Sequence, residues 1–334
     1  MEKVISTIVP TATIFGVPPC PNLDELSADI AFLGVPYDQG QLGMLPTGQK
    51  WGPKAVREQL KGYTYRGLVG IEDSSIAGQE EACGWYDVDD EEWKLRGVTM
   101  ADCGDVNILP ALCERNSDLM TNCDRMTEVM RKILSRGAFP VAIGGEHTLT
   151  LPVVRAFDCY ESLDIVHFDA HLDFWDTIGG MKFNNADCII RCTELPFVNH
   201  ITQIGINPRD RWTRLEKEGY DIAVAYGTTM ITCKKFRQLG VNQVVESIPK
   251  AKNIYVTIDI DCLDCSISPG MSGQEVGGLT YLDVEQTLAG IPTRGKVVGF
   301  DINGLLPYRD PTGITARVVQ NLILDFLAYI FPNK

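Results

Sequence analysis

The sequence is short of positive charge. Its 334 residues include 30 lysines and arginines against 44 aspartates and glutamates, which gives a formal net charge of −14. Proteins that bind nucleic acid or an anionic membrane surface need clustered basic side chains, and no basic run interrupts this acidic composition. We therefore predict a protein whose partners include neither nucleic acid nor a membrane.

Long apolar runs are also missing. No apolar stretch reaches the roughly 18 residues that are needed to span a bilayer. Residues 1–4 show no basic region followed by an apolar run, so no secretory signal is expected. The eleven cysteines are odd in number and scattered, unlike the framework of a small secreted protein. This usage predicts reduced thiols and a cytoplasmic location.

Short apolar runs rich in Val and Ile recur along the chain and end in Gly, Asp or Asn. They are mostly continuous rather than alternating, which is typical of strands that are covered on both faces. Helical patterns separate them, and strands that alternate with helices predict parallel β-α units. The predicted strands are 29–35, 98–102, 139–143, 163–168, 201–206, 221–225, 254–258 and 297–300. The predicted helices are 53–60, 121–136, 148–157, 209–218, 230–238, 282–289 and 315–330.

These elements predict one α/β domain over residues 1–334, with three α/β/α layers around a mainly parallel eight-stranded sheet. Few long linkers separate the elements, which argues against two domains. Residues 1–27 precede the first predicted strand and are interpreted as an N-terminal extension. Residues 65–92 are acidic and irregular, which indicates an insertion or an active-site loop.

Side chains that can bind metals follow the predicted strands. Asp169, His171 and Asp173 occupy alternate positions after one strand, and Asp259 and Asp261 do so after another. Alternate residues of an extended segment share one face. Because the carboxyl ends of parallel strands lie along one edge of a sheet, we expect these side chains to lie close together.

A third predicted strand ends in the run Gly-Gly-Glu-His, with His147 as its last residue. Carboxylates and imidazoles gathered at one edge would repel each other or remain poorly solvated without a cation. Two histidines and four aspartates suit a pair of divalent ions such as Mn²⁺, Ni²⁺ or Zn²⁺. Any one of these residues could instead be a helix cap or a buried hydrogen-bonded group, but three such strand ends favour a metal site. His167, inside its strand, is interpreted as a hydrogen-bonded core histidine that points away from that site.

The motifs G-G-E-H, D-A-H-x-D and D-I-D-x-x-D, in this order and spacing, resemble the ureohydrolase family of arginases and agmatinases. The resemblance extends from about residue 28 to residue 331 and is closer to the agmatinase branch than to arginase itself. It implies an arginase-like three-layer fold. Further similar segments are 28–38, 51–58, 102–105, 275–280 and 313–315.

The resemblance also implies roles for the motif residues. One ion would be bound by His147, Asp169, Asp173 and Asp259, and the other by Asp169, His171, Asp259 and Asp261. Asp169 and Asp259 would bridge two ions, either Ni²⁺ or Mn²⁺. The family hydrolyses a guanidino C–N bond with a metal-bridging hydroxide, to which Asp173 would donate or accept a hydrogen bond. Asp173, Asp169 and Asp259 are therefore the predicted catalytic residues.

Two positions depart from the family pattern. The family places a proton-shuttling His downstream of D-A-H-x-D, whereas residues 183–187 read Phe-Asn-Asn-Ala-Asp and put Asn185 there. Asn cannot exchange protons near neutral pH, whereas His can. The family also has a guanidinium-binding Glu, whereas residues 301–307 put Gly304 in its place. We predict that Gly304 removes a charge-assisted contact and leaves space in the pocket.

The remaining predicted substrate contacts are mostly apolar. Phe174, Trp175, Met181 and Phe183 are predicted to line a pocket, with Trp175 offering a cation–π contact. The alternative is that these rings pack at the edge of the sheet. Glu275 is a further candidate because it could supply charge to the pocket.

These features predict an amidinohydrolase acting on an alkylated guanidine or a biguanide, of the dimethylguanidine or metformin type, and releasing an amine. The alternatives are an agmatinase-like or guanidinobutyrase-like enzyme that releases urea, and a non-catalytic subunit of a related heteromeric complex. The two lost residues favour a non-catalytic subunit, but the six intact ligand positions argue against it. The resemblance also implies a homo-hexamer, or a hetero-hexamer with a homologous subunit.

Overall fold

Buried strands with apolar side chains on both faces form the centre of the protein. The computed structural model describes residues 7–40, 48–59, 84–109, 115–177, 180–208 and 214–331. The strands in these ranges are β1 Thr7–Ile8, β2 Ile30–Val35, β3 Trp85–Asp87, β4 Glu92–Lys94, β5 Met100–Val106, β6 Phe139–Gly144, β7 Leu163–Phe168, β8 Val198–Ile206, β9 Thr229–Thr232, β10 Asn253–Asp259 and β11 Lys296–Asn303.

Helices follow most of the strands. None of those in the described residues is long and apolar enough to cross a membrane. The α-helices are α1 Gly52–Glu58, α2 Arg115–Ser135, α3 Thr150–Val154, α4 Cys188–Cys192, α5 Arg214–Tyr226, α6 Cys233–Ser247, α7 Tyr281–Gly290 and α8 Ile314–Ile330.

The main sheet has the strand order β1-β5-β2-β6-β11-β10-β7-β8-β9. Neighbouring strands are parallel except at one edge, where β1 pairs antiparallel with β5. The mainly parallel sheet is therefore confirmed, with nine strands in the described residues instead of eight. Two of these nine strands are not predicted from the sequence: β1, which lies within the predicted N-terminal extension 1–27, and β9.

Helices cover both faces of this sheet. On one face α1, α6, α7 and α8 pack into a core with buried residues such as Phe236 and Leu288. On the other face α2, α3 and α4 pack into a second core with Met130 and Val153. Successive residues of β10 alternate between the two, since Val256 belongs to the first core and Tyr255 to the second. The predicted three layers are confirmed.

One predicted strand is wrong. Residues 221–225 belong to helix α5, in which Ala223 is buried while Asp221 and Val224 are exposed. Gly227, with a φ of +90°, follows the helix, and the strand in this part of the chain is β9. A short apolar run does not distinguish a buried strand from a helix by its periodicity, which explains the error.

Most of the predicted insertion, residues 65–83, lies outside the described residues. Its described end is regular rather than irregular, because β3 and β4 pair as an antiparallel hairpin. Trp85 of that hairpin is partly buried against the first core. The hairpin therefore packs on the domain rather than extending from it.

Candidate metal centre

The predicted ligands lie at the carboxyl ends of neighbouring strands in the middle of the sheet. Strands β6, β11, β10 and β7 are adjacent, and their carboxyl ends meet at one edge. A single 3₁₀ turn after β6 carries His147, β7 leads into Asp169, and β10 ends at Asp259. Asp259 ends a rigid strand, Asp169 directly follows one, and His147 lies in the short turn after another, which fixes their geometry better than a long loop would.

One group of donors surrounds His147. Its Nδ1 lies 2.9 Å from Asp169 Oδ2, 2.9 Å from Asp173 Oδ2 and 3.7 Å from Asp259 Oδ2. All four residues are buried. These are the four residues that the resemblance implies for the first ion, and the structure brings them together.

A second group of donors surrounds His171. Its Nδ1 lies 3.2 Å from Asp169 Oδ1 and 3.1 Å from Asp261 Oδ2. Asp169 belongs to both groups and presents one oxygen to each, as a bridging ligand would. Asp259 lies beside Asp261, whose backbone N–H donates to Asp259 Oδ1 at 3.1 Å.

Hydrogen bonds behind His147 fix which of its nitrogens faces the carboxylates. The hydroxyl proton of Thr257 is donated to Asp301 Oδ1 at 2.8 Å. Thr257 Oγ1 therefore accepts the hydrogen bond from His147 Nε2 at 3.1 Å. Nδ1 then carries the lone pair. It makes no hydrogen bond to any described residue, although two carboxylate oxygens lie 2.9 Å away. A lone pair that faces two carboxylates is repelled unless a cation lies between them, so these residues fit a divalent ion.

The pKa values in the cluster agree with this interpretation. Burial raises the pKa of Asp259 well above its ordinary value, and the charges of Asp261 and Asp169 add to the effect. Burial alone would lower the pKa of His147, but the carboxylates of Asp169 and Asp173 help to raise it well above 6.5. The cluster therefore takes up protons when no other cation is present, which is expected of a site that binds metal ions.

His167 does not point away from the cluster, which corrects the sequence interpretation. Positions 167 and 169 share one face of the strand, and His167 Nε2 lies 2.9 Å from Asp169 Oδ2. Gln203 Nε2 donates to Leu172 O at 2.7 Å and lies 3.1 Å from His167 Nδ1, so Nδ1 accepts and Nε2 donates. His167 is a hydrogen-bonded core histidine, as predicted, and its Nε2–H group holds Asp169 in place within the cluster.

The loop that carries Asn185 is closed by a buried carboxylate. Asp187 accepts hydrogen bonds from Phe183 N at 2.9 Å and Asn184 N at 2.8 Å. Burial raises the pKa of Asp187 to about 6, although these backbone hydrogen bonds oppose the shift. Asn185 Oδ1 is buried and has no hydrogen-bond partner among the residues that the structure describes. The amide thus keeps an acceptor available beside the candidate site.

Gly304 does not leave the space that the sequence predicted. A Cβ atom at this position would lie 2.2 Å from Asp259 Oδ1. The φ of Gly304 is also +88°, in the region that favours glycine. The Asp259 carboxylate occupies the volume in which a side chain at residue 304 would begin. The charge of the family's Glu is absent, but no cavity replaces it.

The predicted apolar pocket is only partly present. Phe174 is completely buried in the second core, with its ring centroid 6.4 Å from that of Tyr226, so it does not line a pocket. Trp175 is partly buried against α5, where its Cδ1 would lie 2.9 Å from a Cβ at Gly219. Packing at the sheet edge is therefore the better description of Phe174 and of one side of Trp175.

Glu275 lies at the candidate site. It is 3% exposed, and its Oε1 lies 3.8 Å from His171 Nε2. Asn207 Nδ2 donates to Glu275 Oε2 at 3.4 Å. A buried carboxylate next to a candidate metal ligand can bind a cationic group of a substrate. The substrate contact of Glu275 stays a prediction.

Sequence reasoning missed three contacts of the cluster. Thr257 and Asp301 support His147, and Cys188 Sγ lies 3.4 Å from Asp173 Oδ2. Thr257 could have been found, because it shares a strand face with Asp259. Cys188 lies fifteen residues beyond Asp173 in sequence, and no spacing pattern connects the two.

Comparisons with known proteins agree with the geometry. A model described as the Arginase family matches residues 28–328. Agmatinase from Sodalis glossinidius is 28% identical over 304 residues, which are 90% of this chain and 86% of that protein. Guanidinopropionase from Pseudomonas aeruginosa is 27% identical over 312 residues, which are 92% of this chain and 88% of that protein.

The solved structures show the same fold. Proclavaminate amidino hydrolase from Streptomyces clavuligerus aligns with a TM-score of 0.77 at 23% identity, covering 98% of this chain and 99% of its own. The family match covers most of the chain, and the buried His/Asp cluster suits a binuclear metal site. The chain belongs to the arginase family of ureohydrolases, on its agmatinase-like branch, and is a hydrolase of C–N bonds in linear amidines.

Proposed function

We propose that this chain hydrolyses a guanidino substrate at two divalent ions, Ni²⁺ or Mn²⁺. One ion is bound by His147, Asp169, Asp173 and Asp259, and the other by Asp169, His171, Asp259 and Asp261. The observation that carries the proposal is His147 Nδ1, a buried nitrogen that makes no hydrogen bond to the described residues and faces two carboxylates at 2.9 Å. Such a donor set favours a bound cation over an empty site.

Bound at these positions, two ions would supply Lewis acidity that lowers the pKa of water and stabilises negative charge on oxygen. Asp173 would orient the attacking water and take up its proton, since its Oδ2 lies beside His147 Nδ1. Helix α4 holds Asp173 in this position, because Ile190 N donates to Asp173 O at 3.1 Å. The backbone of Asp173 has a φ of +51°, a conformation that the surrounding structure must stabilise.

Among guanidino compounds, an alkylated guanidine or a biguanide fits the site better than arginine. Gly304 brings no negative charge to the position of the family's guanidinium-binding Glu, and Asp259 fills the volume next to its Cα. Asn185 cannot protonate a poor leaving group near neutral pH. A substrate such as dimethylguanidine or metformin, which releases dimethylamine, relies less on both missing groups than agmatine does.

An agmatinase-like activity is the second candidate. Glu275 places a buried carboxylate 3.8 Å from His171 Nε2, which could hold a guanidinium in place of the missing Glu. An agmatinase and a guanidinopropionase are among the relatives of similar length. The two candidates therefore differ in whether the Glu275 carboxylate or the lack of a Glu side chain at residue 304 dominates substrate recognition.

Competition between substrates tests both candidates. The metal-loaded protein, with and without any homologous subunit, is offered dimethylguanidine, metformin, agmatine and arginine together. We expect kcat/KM for one of the two alkylated compounds to exceed that for agmatine by about tenfold or more. Agmatine or arginine winning by tenfold would contradict the substrate proposal but not the family. In that case Glu275→Gln should lower agmatine turnover, whereas Gln274→Glu, at the exposed neighbouring position, should not.

The remaining alternative, a non-catalytic subunit, is tested by metal analysis of the purified protein. About two ions per chain with turnover of any guanidine would exclude it. We further propose a single domain over residues 1–334 that assembles as a homo- or hetero-hexamer. Sedimentation at micromolar concentration should then show a hexamer, and a monomer would contradict the assembly.

A further inference from the structure

A buried cysteine contacts the proposed metal centre but is not one of its six proposed ligands. Cys188 is the first residue of α4 and is 1% exposed. Its Sγ lies 3.4 Å from Asp173 Oδ2 and 3.5 Å from the backbone oxygen of Asn185. A thiol is a weak hydrogen-bond donor, so these two contacts alone contribute little to holding the sulfur beside a carboxylate.

A second observation points to a ligand at the same place. His147 Nδ1 lies 2.9 Å from Asp173 Oδ2, the oxygen that Cys188 contacts, and makes no hydrogen bond to the described residues. His147 is 3% exposed. A nitrogen lone pair and a sulfur atom thus both adjoin one carboxylate oxygen in a space closed to solvent.

We propose that the sulfur of Cys188 is a further donor to the ion that His147 and Asp173 bind, and that it biases this position towards Zn²⁺ or Co²⁺ over Mn²⁺. The inference rests on the proposed metal centre and deepens it. Sulfur is a softer donor than carboxylate oxygen and prefers the softer ions. The thiol proton is displaced when the sulfur binds the ion.

The position around His171 differs in its donors. His171 Nδ1 faces Asp169 and Asp261, so nitrogen and carboxylate oxygen surround it. Nitrogen and oxygen donors of this kind accept Mn²⁺ and Ni²⁺ readily. The donor atoms of the two positions therefore differ in softness. For this reason the protein should bind two different metal ions more tightly than two identical ones.

Cobalt spectroscopy tests the sulfur contact directly. The full-length protein is stripped with a chelator and titrated with Co²⁺, while bound cobalt is measured by elemental analysis. We expect about two ions per chain and a near-ultraviolet thiolate-to-cobalt charge-transfer band that saturates with one of them. Cys188→Ser should abolish the band while cobalt remains bound. Cys192→Ser, which removes an equally buried thiol from the same helix, should leave the band intact.

X-ray absorption of the zinc-loaded wild-type protein needs no variant. It should show one sulfur neighbour at about 2.3 Å. Two bound cobalt ions without a charge-transfer band, a band that persists in Cys188→Ser, or zinc without a sulfur neighbour would each overturn the role of Cys188 while leaving the metal centre intact. Failure to bind any cobalt or zinc would overturn the metal centre, and this inference with it.

Metal preference gives an independent measurement. In competition between Zn²⁺ and Mn²⁺, Cys188→Ser should lower the zinc-to-manganese ratio at the His147 position by about tenfold or more. Cys192→Ser should change the ratio by less than about twofold, because Cys192 lies one helical turn beyond Cys188. An unchanged ratio in Cys188→Ser would contradict the proposal.

Discussion

Among the buried charged side chains of the described residues, two groups differ in how their charges are balanced. Near one edge of the sheet, Arg57 of α1 meets Asp102 and Asp105 of β5. Arg57 Nε and Nη2 donate to the two oxygens of Asp102 at 2.8 and 2.9 Å, and Nη1 donates to Asp105. Asp102 also accepts from the backbone of Ile14 and Gly104. The three guanidinium nitrogens and both oxygens of Asp102 therefore all have partners within the protein.

The cluster at the middle of the sheet is different. Asp169, Asp173, Asp259 and Asp261 are all buried, and no arginine or lysine of the described residues pairs with them. Within the described ranges, the groups that pair with them and can carry a positive charge are imidazoles. The backbone N–H groups of Ala170 and His171 offset only part of this negative charge.

The comparison distinguishes buried charges that stabilise the fold from buried charges that bind a metal ion. Burial alone does not distinguish the two groups, since Arg57 and Asp169 are each 1% exposed. What distinguishes them is whether the protein supplies the counter-charge itself. A buried carboxylate with a guanidinium partner holds elements together, whereas a group of carboxylates without one needs an external cation.

The largest effect is expected at the unbalanced cluster. Asp169→Asn removes a bridging oxygen, and His171→Ala removes a donor of the second position. Each should lose bound metal and lower kcat/KM by more than the roughly 10- to 100-fold that is typical of residues that only support a ligand. Metal content and turnover are measured on the same preparations. Either variant retaining full activity without metal would refute the binuclear site.

The balanced group should respond in the opposite way. Arg57→Met leaves two buried carboxylates without their guanidinium, which should lower the free energy of unfolding by about 3–5 kcal/mol. The metal content of the folded fraction should not change. Lys54→Met is the matched control on the same helix, since the Lys54–Glu58 pair is half exposed and should contribute less than about 1 kcal/mol. Urea unfolding of the two variants, followed by metal analysis, would show whether the groups are independent.

A smaller effect is expected behind His147. Thr257→Val keeps the side-chain volume but removes the acceptor of His147 Nε2 at 3.1 Å. The ring then loses its fixed tautomer, and metal affinity should fall about 10- to 100-fold. Thr127→Val removes a buried hydroxyl on α2 that donates to Pro152 O at 2.7 Å, and it should cost stability but not metal affinity. Equal metal affinities in the two variants would contradict the claim that Thr257 fixes the His147 tautomer for metal binding.

The sequence alone predicts the unbalanced cluster well. Alternate spacing after one strand predicts that Asp169, His171 and Asp173 share a face. The parallel sheet predicts that they meet His147 and Asp259, because the carboxyl ends of neighbouring strands lie together. Seven of the eight predicted strands are present, six with shifted ends and one, residues 163–168, with the predicted ends. The eighth, residues 221–225, failed because a short apolar run fits a buried helix face equally well.

Contacts between distant segments could not be predicted in this way. The close approach of Asp259 to Gly304 depends on the backbone conformation after β11, which the sequence does not show. The contact of Cys188 with Asp173 depends on how the loop closed by Asp187 enters α4. The face of His167 was predictable but was assigned incorrectly, since positions 167 and 169 have the same parity.

A change in the pH dependence of stability also separates the two groups. Glu146 directly precedes His147 and accepts a hydrogen bond from Thr148 Oγ1 at 3.0 Å. Without metal, burial raises the pKa of Glu146 to about 8 and that of Asp259 well above its ordinary value. Burial lowers the pKa of His147, but Cys188 and the carboxylates of Asp169 and Asp173 raise it overall. In each case the folded protein holds a proton that the unfolded chain has released. Stability is therefore lost as pH rises, by about 1.4 kcal/mol per pH unit for each such group.

The window for this effect follows from the same pKa values. Glu146 contributes between pH 4.5 and about 8, and His147 contributes above pH 6.5. The metal-free protein should thus become less stable between pH 6.5 and 8, and Glu146→Gln should make that slope shallower. Bound metal replaces the protons at His147 and Asp259, so the metal-loaded protein should show a weaker or reversed dependence. Urea unfolding at pH 6, 7 and 8 with and without metal measures both slopes. Parallel slopes would mean that metal ions do not compete with protons at this cluster, and its distinction from the Arg57 group would be lost.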